Sequence, residues 1–145
     1  MRVSEVMTRD VCIAAPEQTI QEVAKMMGDI DIGVLPVGEN DRLVGMITDR
    51  DIAVRAVGQG KGLSTKVRDI MSEEVKYCFE DEDTNHVTRN MGDQQLRRLP
   101  VVNRKKRLVG ILSLGDLAIA KDGRAAGNAL KDISQAGGLH SQTDE

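Results

Sequence analysis

Arg42-Leu43-Val44-Gly45-Met46-Ile47-Thr48-Asp49-Arg50-Asp51 returns 65 residues later as Arg107-Leu108-Val109-Gly110-Ile111-Leu112-Ser113-Leu114-Gly115-Asp116. Outward from this stretch, Leu35-Pro36-Val37 recurs as Leu99-Pro100-Val101 at an offset of 64. Val23, Met27, Gly28 and Asp29 recur as Val87, Met91, Gly92 and Asp93, and Val3-Ser4-Glu5-Val6-Met7-Thr8 as Val67-Arg68-Asp69-Ile70-Met71-Ser72, at that same offset. The extra residue falls between Asn40-Asp41 and Arg104-Lys105-Lys106, polar stretches flanked by apolar runs. Such stretches mark hairpin turns, where an insertion is cheapest. The chain is two copies of one small unit.

Each copy reads the same way. Thr19-Ile20-Gln21-Glu22 has the form of a helix-capping box, with Ile20, Val23, Ala24 and Met27 at helical spacing and Gly28 suited to the helix end. In the second copy Asp83 can cap, and Val87 and Met91 form the buried stripe. The apolar runs Val34–Val37 and Leu43–Ile47, repeated as Leu99–Val102 and Leu108–Leu112, read as strands buried on both faces. Pro36 and Pro100 then belong at a strand end or edge, where a missing N–H is tolerated. A second helix is expected over Asp49 to Val57 and over Leu114 to Ala120. Short strands near Cys12-Ile13-Ala14 and Lys76-Tyr77-Cys78 open each copy. The expected fold is α/β (α+β): two β-α-β-β-α repeats packed sheet to sheet as one pseudo-twofold module. Residues 1–58 form repeat 1, 59–66 a glycine-rich linker and 67–121 repeat 2; residues 122–145 form a tail, weakly helical over 125–133 and loose from Gly137.

Composition excludes several functions. The 145 residues are 40% apolar and 30% charged with a net charge of −3, ordinary for a soluble domain. No apolar run reaches the roughly 20 residues of a membrane span, and no signal peptide opens the chain, so a cytoplasmic protein is expected. Cys12, Cys78, His86 and His140 stand apart, which leaves a zinc site or disulfide framework nothing to build on. Tyr77 and Phe79 are the only aromatics, so single-stranded nucleic acid lacks a stacking platform. The basic turn Arg104-Lys105-Lys106-Arg107 reads as a solvated hairpin, with a phosphate or nucleic-acid contact as the sharper alternative.

Thr48-x-x-Asp51 and Ser113-x-x-Asp116 carry the chemistry. Each is a plausible helix cap with a first-turn carboxylate. Each also suits a sugar phosphate: a strand passing through a glycine-containing turn into a helix leaves N–H groups for an anion, the hydroxyl can bond phosphate, and the carboxylate can accept from ribose hydroxyls. Both readings stay open.

The doubled unit, with Met7/Met71, the Leu-Pro-Val strands and the G-h-x-[TS]-x-x-D endings, resembles the cystathionine-β-synthase (CBS) domain pair, or Bateman module, over Val3 to Lys121. That resemblance implies AMP, ADP, ATP or S-adenosylmethionine held in clefts between the repeats, with no obligatory cofactor. It implies Asp51 and Asp116 on the ribose, Thr48 and Ser113 on phosphate, and the base read by backbone around Cys12 and Lys76. It also brings in Pro36 and Pro100, Arg50, and the pair Arg97-Arg98, which precedes the second Leu-Pro-Val where the first copy has Gly33-Val34. The function expected is a non-catalytic regulatory sensor that passes its ligand state to a separate protein. A ligand-free scaffold for dimerisation or stress-related contacts is the alternative. A homodimer is expected through apolar helix surface, with Met26, Met27, Met91, Ile52 and Leu117 as candidates.

Overall fold

A computed structural model describes residues 1–120 and 123–134, the side chains of 123–126 apart. The fold is α+β, in two compact units that divide the chain elsewhere than the sequence repeats do. One is continuous, Cys12–Val75; the other is split, formed by Met1–Val11 together with the chain from Lys76 onward.

In the continuous unit, Thr19 and Glu22 form the expected capping box and start helix α1, Ile20–Ile30. Its Ile20, Val23 and Met27 are buried, while Ala24 is exposed. Gly28 does not end α1: the helix runs on to Ile30, and Asp31 takes the left-handed conformation at φ 56°. Strands β1, Val34–Glu39, and β2, Arg42–Thr48, pair antiparallel around the turn. The expected strand at Cys12–Ala14 shrinks to one parallel bridge, Ala14 to Val37. Beyond β2 the chain is helical from Asp49, continuing as a π-helical stretch Asp51–Ala56 and a 3-10 turn Val57–Gln59.

The glycine-rich stretch after Gly58 packs back on this unit: the carbonyls of Leu63 and Thr65 accept from the N–H groups of Gln21 and Ile20. So does the second copy's opening turn. The 3-10 turn Val67–Asp69 bonds Gln18 and Pro16, Ser72 and Met46 exchange two backbone hydrogen bonds, and Val67 and Ile70 join the core of Ile20, Val23, Leu35, Val37 and Ile47.

The split unit has the mirror arrangement. Strand β3, Cys78–Phe79, runs parallel to β4, Arg98–Val102, which pairs antiparallel with β5, Leu108–Ser113. Asp83 caps helix α2, Thr84–Asp93, through the Asn85 N–H. Helix α3, Leu114–Ala120, follows β5, and α4, Gly123–Ile133, packs on α2 and α3. The segment 137–145 expected to be loose lies outside the described residues. The first copy's opening turn, Val3–Glu5, bonds Glu82 and Glu80, and Thr8 exchanges two hydrogen bonds with Ile111. Val3 and Met7 sit in the core with Val87, Met91, Leu99 and Leu112.

Of the five candidates for a dimer surface, three lie in the core, where the apolar spacing also put Met27 and Met91. Met27 is 6% exposed, Met91 0% and Leu117 6%, because aliphatic side chains must fill these centres where aromatics are absent. Met26 and Ile52 are half-buried against the same core as α1. Large apolar residues exposed in the continuous unit include Val54, Val57 and Leu63.

Candidate functional site

Each unit brings its candidate site residues together along one row of its sheet. Pro36 lies inside β1 rather than at its end, paired with Met46, whose own N–H and C=O turn to Ser72. On the other side of β1, the Pro36 carbonyl accepts from Ala14 N–H, and Gly38 N–H donates to the Ala14 carbonyl. A parallel ladder would next carry a bond from residue 36 to the carbonyl of Cys12, and proline has no N–H to give. The ladder stops there. Pro100 does the same in the split unit: the register Cys78 to Val101 leaves the Lys76 carbonyl facing a residue without a donor. Neither Cys12 nor Lys76 has a hydrogen bond among the described residues.

From each open carbonyl the row runs across the sheet to the motif. Cys12 lies level with Leu35, which pairs with Ile47, and Thr48 follows. Lys76 lies level with Leu99, which pairs with Leu112, and Ser113 follows. Two strand spacings, about 10 Å, separate the carbonyl from the motif.

The motifs are capping boxes with aspartate in place of glutamate. Thr48 N–H donates to Asp51 Oδ2 at 2.9 Å, and Asp51 N–H donates to Thr48 Oγ1 at 3.0 Å. Ser113 and Asp116 repeat this at 3.2 and 3.0 Å. Both hydroxyls accept in the box, so each keeps its O–H donor, and each carboxylate keeps Oδ1. Asp116 Oδ1 has no partner among the described residues; Asp51 Oδ1 faces Arg55 at 4.0 Å. The cap and the ligand-contact readings are therefore compatible.

The expected row of free N–H groups is absent from the continuous unit. Asp49 N–H donates to the Gly33 carbonyl, Arg50 N–H to Asp49 Oδ1, and Asp51 N–H to Thr48. In the split unit the N–H groups of Leu114 and Asp116 go to Arg97 and Ser113. Gly115 N–H alone stays open among the described residues of that motif, so an anion is met chiefly by side chains. Arg97, Arg98 and Lys76 are exposed, with no ion pair among the described residues, and Arg98 stands across the ladder from Ser113. Arg50 is exposed at the start of its helical stretch, and the Cys12 side chain is exposed as well.

Sequence reasoning missed the seat of Asp49. A β-carbon on Gly33 would stand 2.7 Å from Asp49 Oδ2, so this carboxylate fills the side-chain space of residue 33. The basic hairpin is explained locally. Arg104 makes two hydrogen bonds to Asp81, lies 4.1 Å over Phe79 and holds the Asp81 carboxyl below the usual carboxylate range. Lys106 donates to Tyr77 Oη at 2.9 Å.

A family model described as the CBS domain matches residues 3–58 and again 67–123. This chain belongs to the CBS domain family. The CBS domain-containing protein YhcV of Bacillus subtilis is 41% identical over 133 residues, covering 91% of this chain and 94% of that protein. Among solved CBS structures, Hypoxic Response Protein I, with two coordinated zinc ions, has a TM-score of 0.75 at 29% identity, covering 83% of this chain and 99% of that one. The CBS domain pair of protein MJ0100, in complex with 5'-methylthioadenosine and S-adenosyl-L-methionine, has a TM-score of 0.71 at 30% identity, covering 82% and 94%. Among the described residues of this CBS chain, no group of three His, Cys, Asp or Glu could hold a metal ion, and no helix is long and apolar enough to cross a membrane.

Proposed function

We propose that this CBS pair is a non-catalytic, cytoplasmic regulatory module that binds adenine nucleosides or nucleotides at its two motifs. The observation that carries the reading is the open carbonyl on each row. Pro36 and Pro100 leave Cys12 and Lys76 with acceptors about 10 Å from a hydroxyl and a carboxylate that keep capacity to bond. An acceptor at that place suits the 6-amino group of adenine and opposes a 6-oxo base. At the other end Asp51 and Asp116 take ribose hydroxyls, and Thr48 and Ser113 donate to the 5' substituent. The methylthioadenosine and S-adenosylmethionine bound by the related pair of MJ0100 support this class of ligand.

Titration calorimetry and thermal shift with AMP, ADP, ATP and S-adenosylmethionine, and with IMP as the 6-oxo control, test the reading. Saturation at 100 times Kd stabilises the folded chain by about 2.7 kcal/mol. Adenine compounds shift the melting point and IMP does not. No shift from any of them at millimolar concentration overturns the reading in favour of a scaffold.

A further inference from the structure

We infer that the two motifs select ligands by opposite treatment of charge: the split unit takes a 5'-phosphorylated nucleoside, and the continuous unit a nucleoside without phosphate. This rests on the nucleoside reading above and adds which chemistry each motif accepts.

Equivalent positions carry different charge. The split unit carries three cations, Lys76, Arg97 and Arg98, for a single motif carboxylate, Asp116, and of the three Arg98 stands opposite Ser113. Arg98 and Ser113 are cross-strand partners, so their side chains leave the same face of the β4–β5 ladder with β-carbons roughly 5 Å apart. A phosphate that accepts from the Ser113 hydroxyl is within reach of a guanidinium that no carboxylate of the described residues neutralises.

In the continuous unit Cys12, Gly33 and Val34 replace those three cations. Val34 is the cross-strand partner of Thr48. The side-chain space of Gly33, where the split unit carries Arg97, is filled by the carboxylate of Asp49. This motif thus contains its own anion, held by Arg50 N–H at 2.8 Å. A second carboxylate, Asp51, faces Arg55. Arg50, exposed beside it, is offset by Asp49, and Arg55 by Asp51, so a phosphate here meets no net positive charge, whereas a thioether or a sulfonium would not be repelled.

Amide NMR of the full chain, titrated with AMP and separately with 5'-methylthioadenosine, reads a Kd at Ser113 and Asp116 and another at Thr48 and Asp51. AMP binds the Ser113 motif at least tenfold more tightly than the Thr48 motif, and methylthioadenosine loses or reverses that preference. Arg97→Ala with Arg98→Ala weakens AMP at Ser113 by about tenfold or more and methylthioadenosine by less than threefold. Asp49→Asn strengthens AMP at Thr48. All three positions are exposed, and unchanged melting confirms the variants fold. Equal AMP affinity at both motifs, or equal loss of both probes in the arginine variant, overturns the inference and leaves the nucleoside reading standing. Binding of neither probe overturns both.

Discussion

The sulfur of Met7 lies 2.7 Å from the point where a β-carbon on Gly110 would stand, and the carbonyl oxygen of Thr8 lies equally close. Met71 and Ser72 treat Gly45 the same way, at 2.7 and 2.8 Å. Each glycine is required by close approach of an opening turn. Gly110→Ala pushes against a backbone oxygen that cannot rotate away, so it costs about 1–3 kcal/mol. Met7→Ala does not rescue it, because the Thr8 carbonyl remains. Urea midpoints of the single and double variants measure this, and a loss under about 0.5 kcal/mol would show that the turn yields.

Removing Met1–Thr8 takes Val3 and Met7 out of the split unit's core and frees one edge of β5. Hydrogen exchange should then quicken throughout α2, β4 and β5. The amides of α1, β1 and β2 should keep their protection, since that unit's opening turn is Val67–Met71. Uniform loss of protection in both units would contradict this assignment.

The capping boxes separate stability from binding. Ser113→Ala removes the cap acceptor and costs about 1 kcal/mol. Asp116→Asn keeps an acceptor and costs from a few tenths to about 1 kcal/mol. Its effect on nucleoside affinity is larger, a tenfold to hundredfold loss, because a charge-assisted bond to a ribose hydroxyl contributes about 1.5–3 kcal/mol. A 2'-deoxy nucleoside shows a similar loss with the unmutated chain and a much smaller one with Asp116→Asn. Additive losses would remove Asp116 from the sugar.

The two thiols report on different states. Cys12 is exposed and reacts with alkylating reagents in the native chain, and a nucleoside on its carbonyl slows that reaction. Cys78 is 3% exposed; burial, aided by Glu82, pushes its pKa up to about 12 from an ordinary value of 9.0. It reacts only after denaturation. The neutral thiol is the folded form, so its contribution to stability is complete below pH 9.0 and declines as pH rises toward about 12. Denaturation midpoints at pH 8 and pH 10.5, with Cys78→Ala as control, check the sign.

Gly33→Ala alone forces the Asp49 carboxylate out of its seat, whereas Gly33→Ala with Asp49→Ala removes the collision. The pair should therefore couple by about 0.5 kcal/mol or more in a double-mutant cycle. Additive stabilities would mean that Asp49 does not occupy that space.

Most of this architecture can be read from the repeats, because apolar spacing and capping residues act locally and twice. Thr19, Asp83, Thr48 and Ser113 all cap where their neighbours announce it. Long-range choices are less legible. Val3 and Val67 carry equivalent patterns, and nothing in that periodicity tells which sheet each turn joins. Pro36 reads as an edge residue because its effect depends on the strand beside it; in place, it ends the ladder and opens Cys12. The seat of Asp49 is equally hidden, because the space that holds it belongs to Gly33, a residue distant in sequence. Met27, Met91 and Leu117 fit either a core or an interface by spacing, and only packing decides between them.

The exchange of opening turns also sets an order of events on the ribosome. The Met7 segment is synthesised first, yet its proper glycine, Gly110, emerges about a hundred residues later; at about 5–20 residues per second, that delay is several seconds. Gly45, built to receive an equivalent methionine, emerges much sooner. Until Met71 arrives, the nascent chain holds the Met7 segment and Gly45 without the partner that either has in the folded chain. The continuous unit can close as soon as its own latch is made, whereas the split unit closes later, around a segment made long before its door.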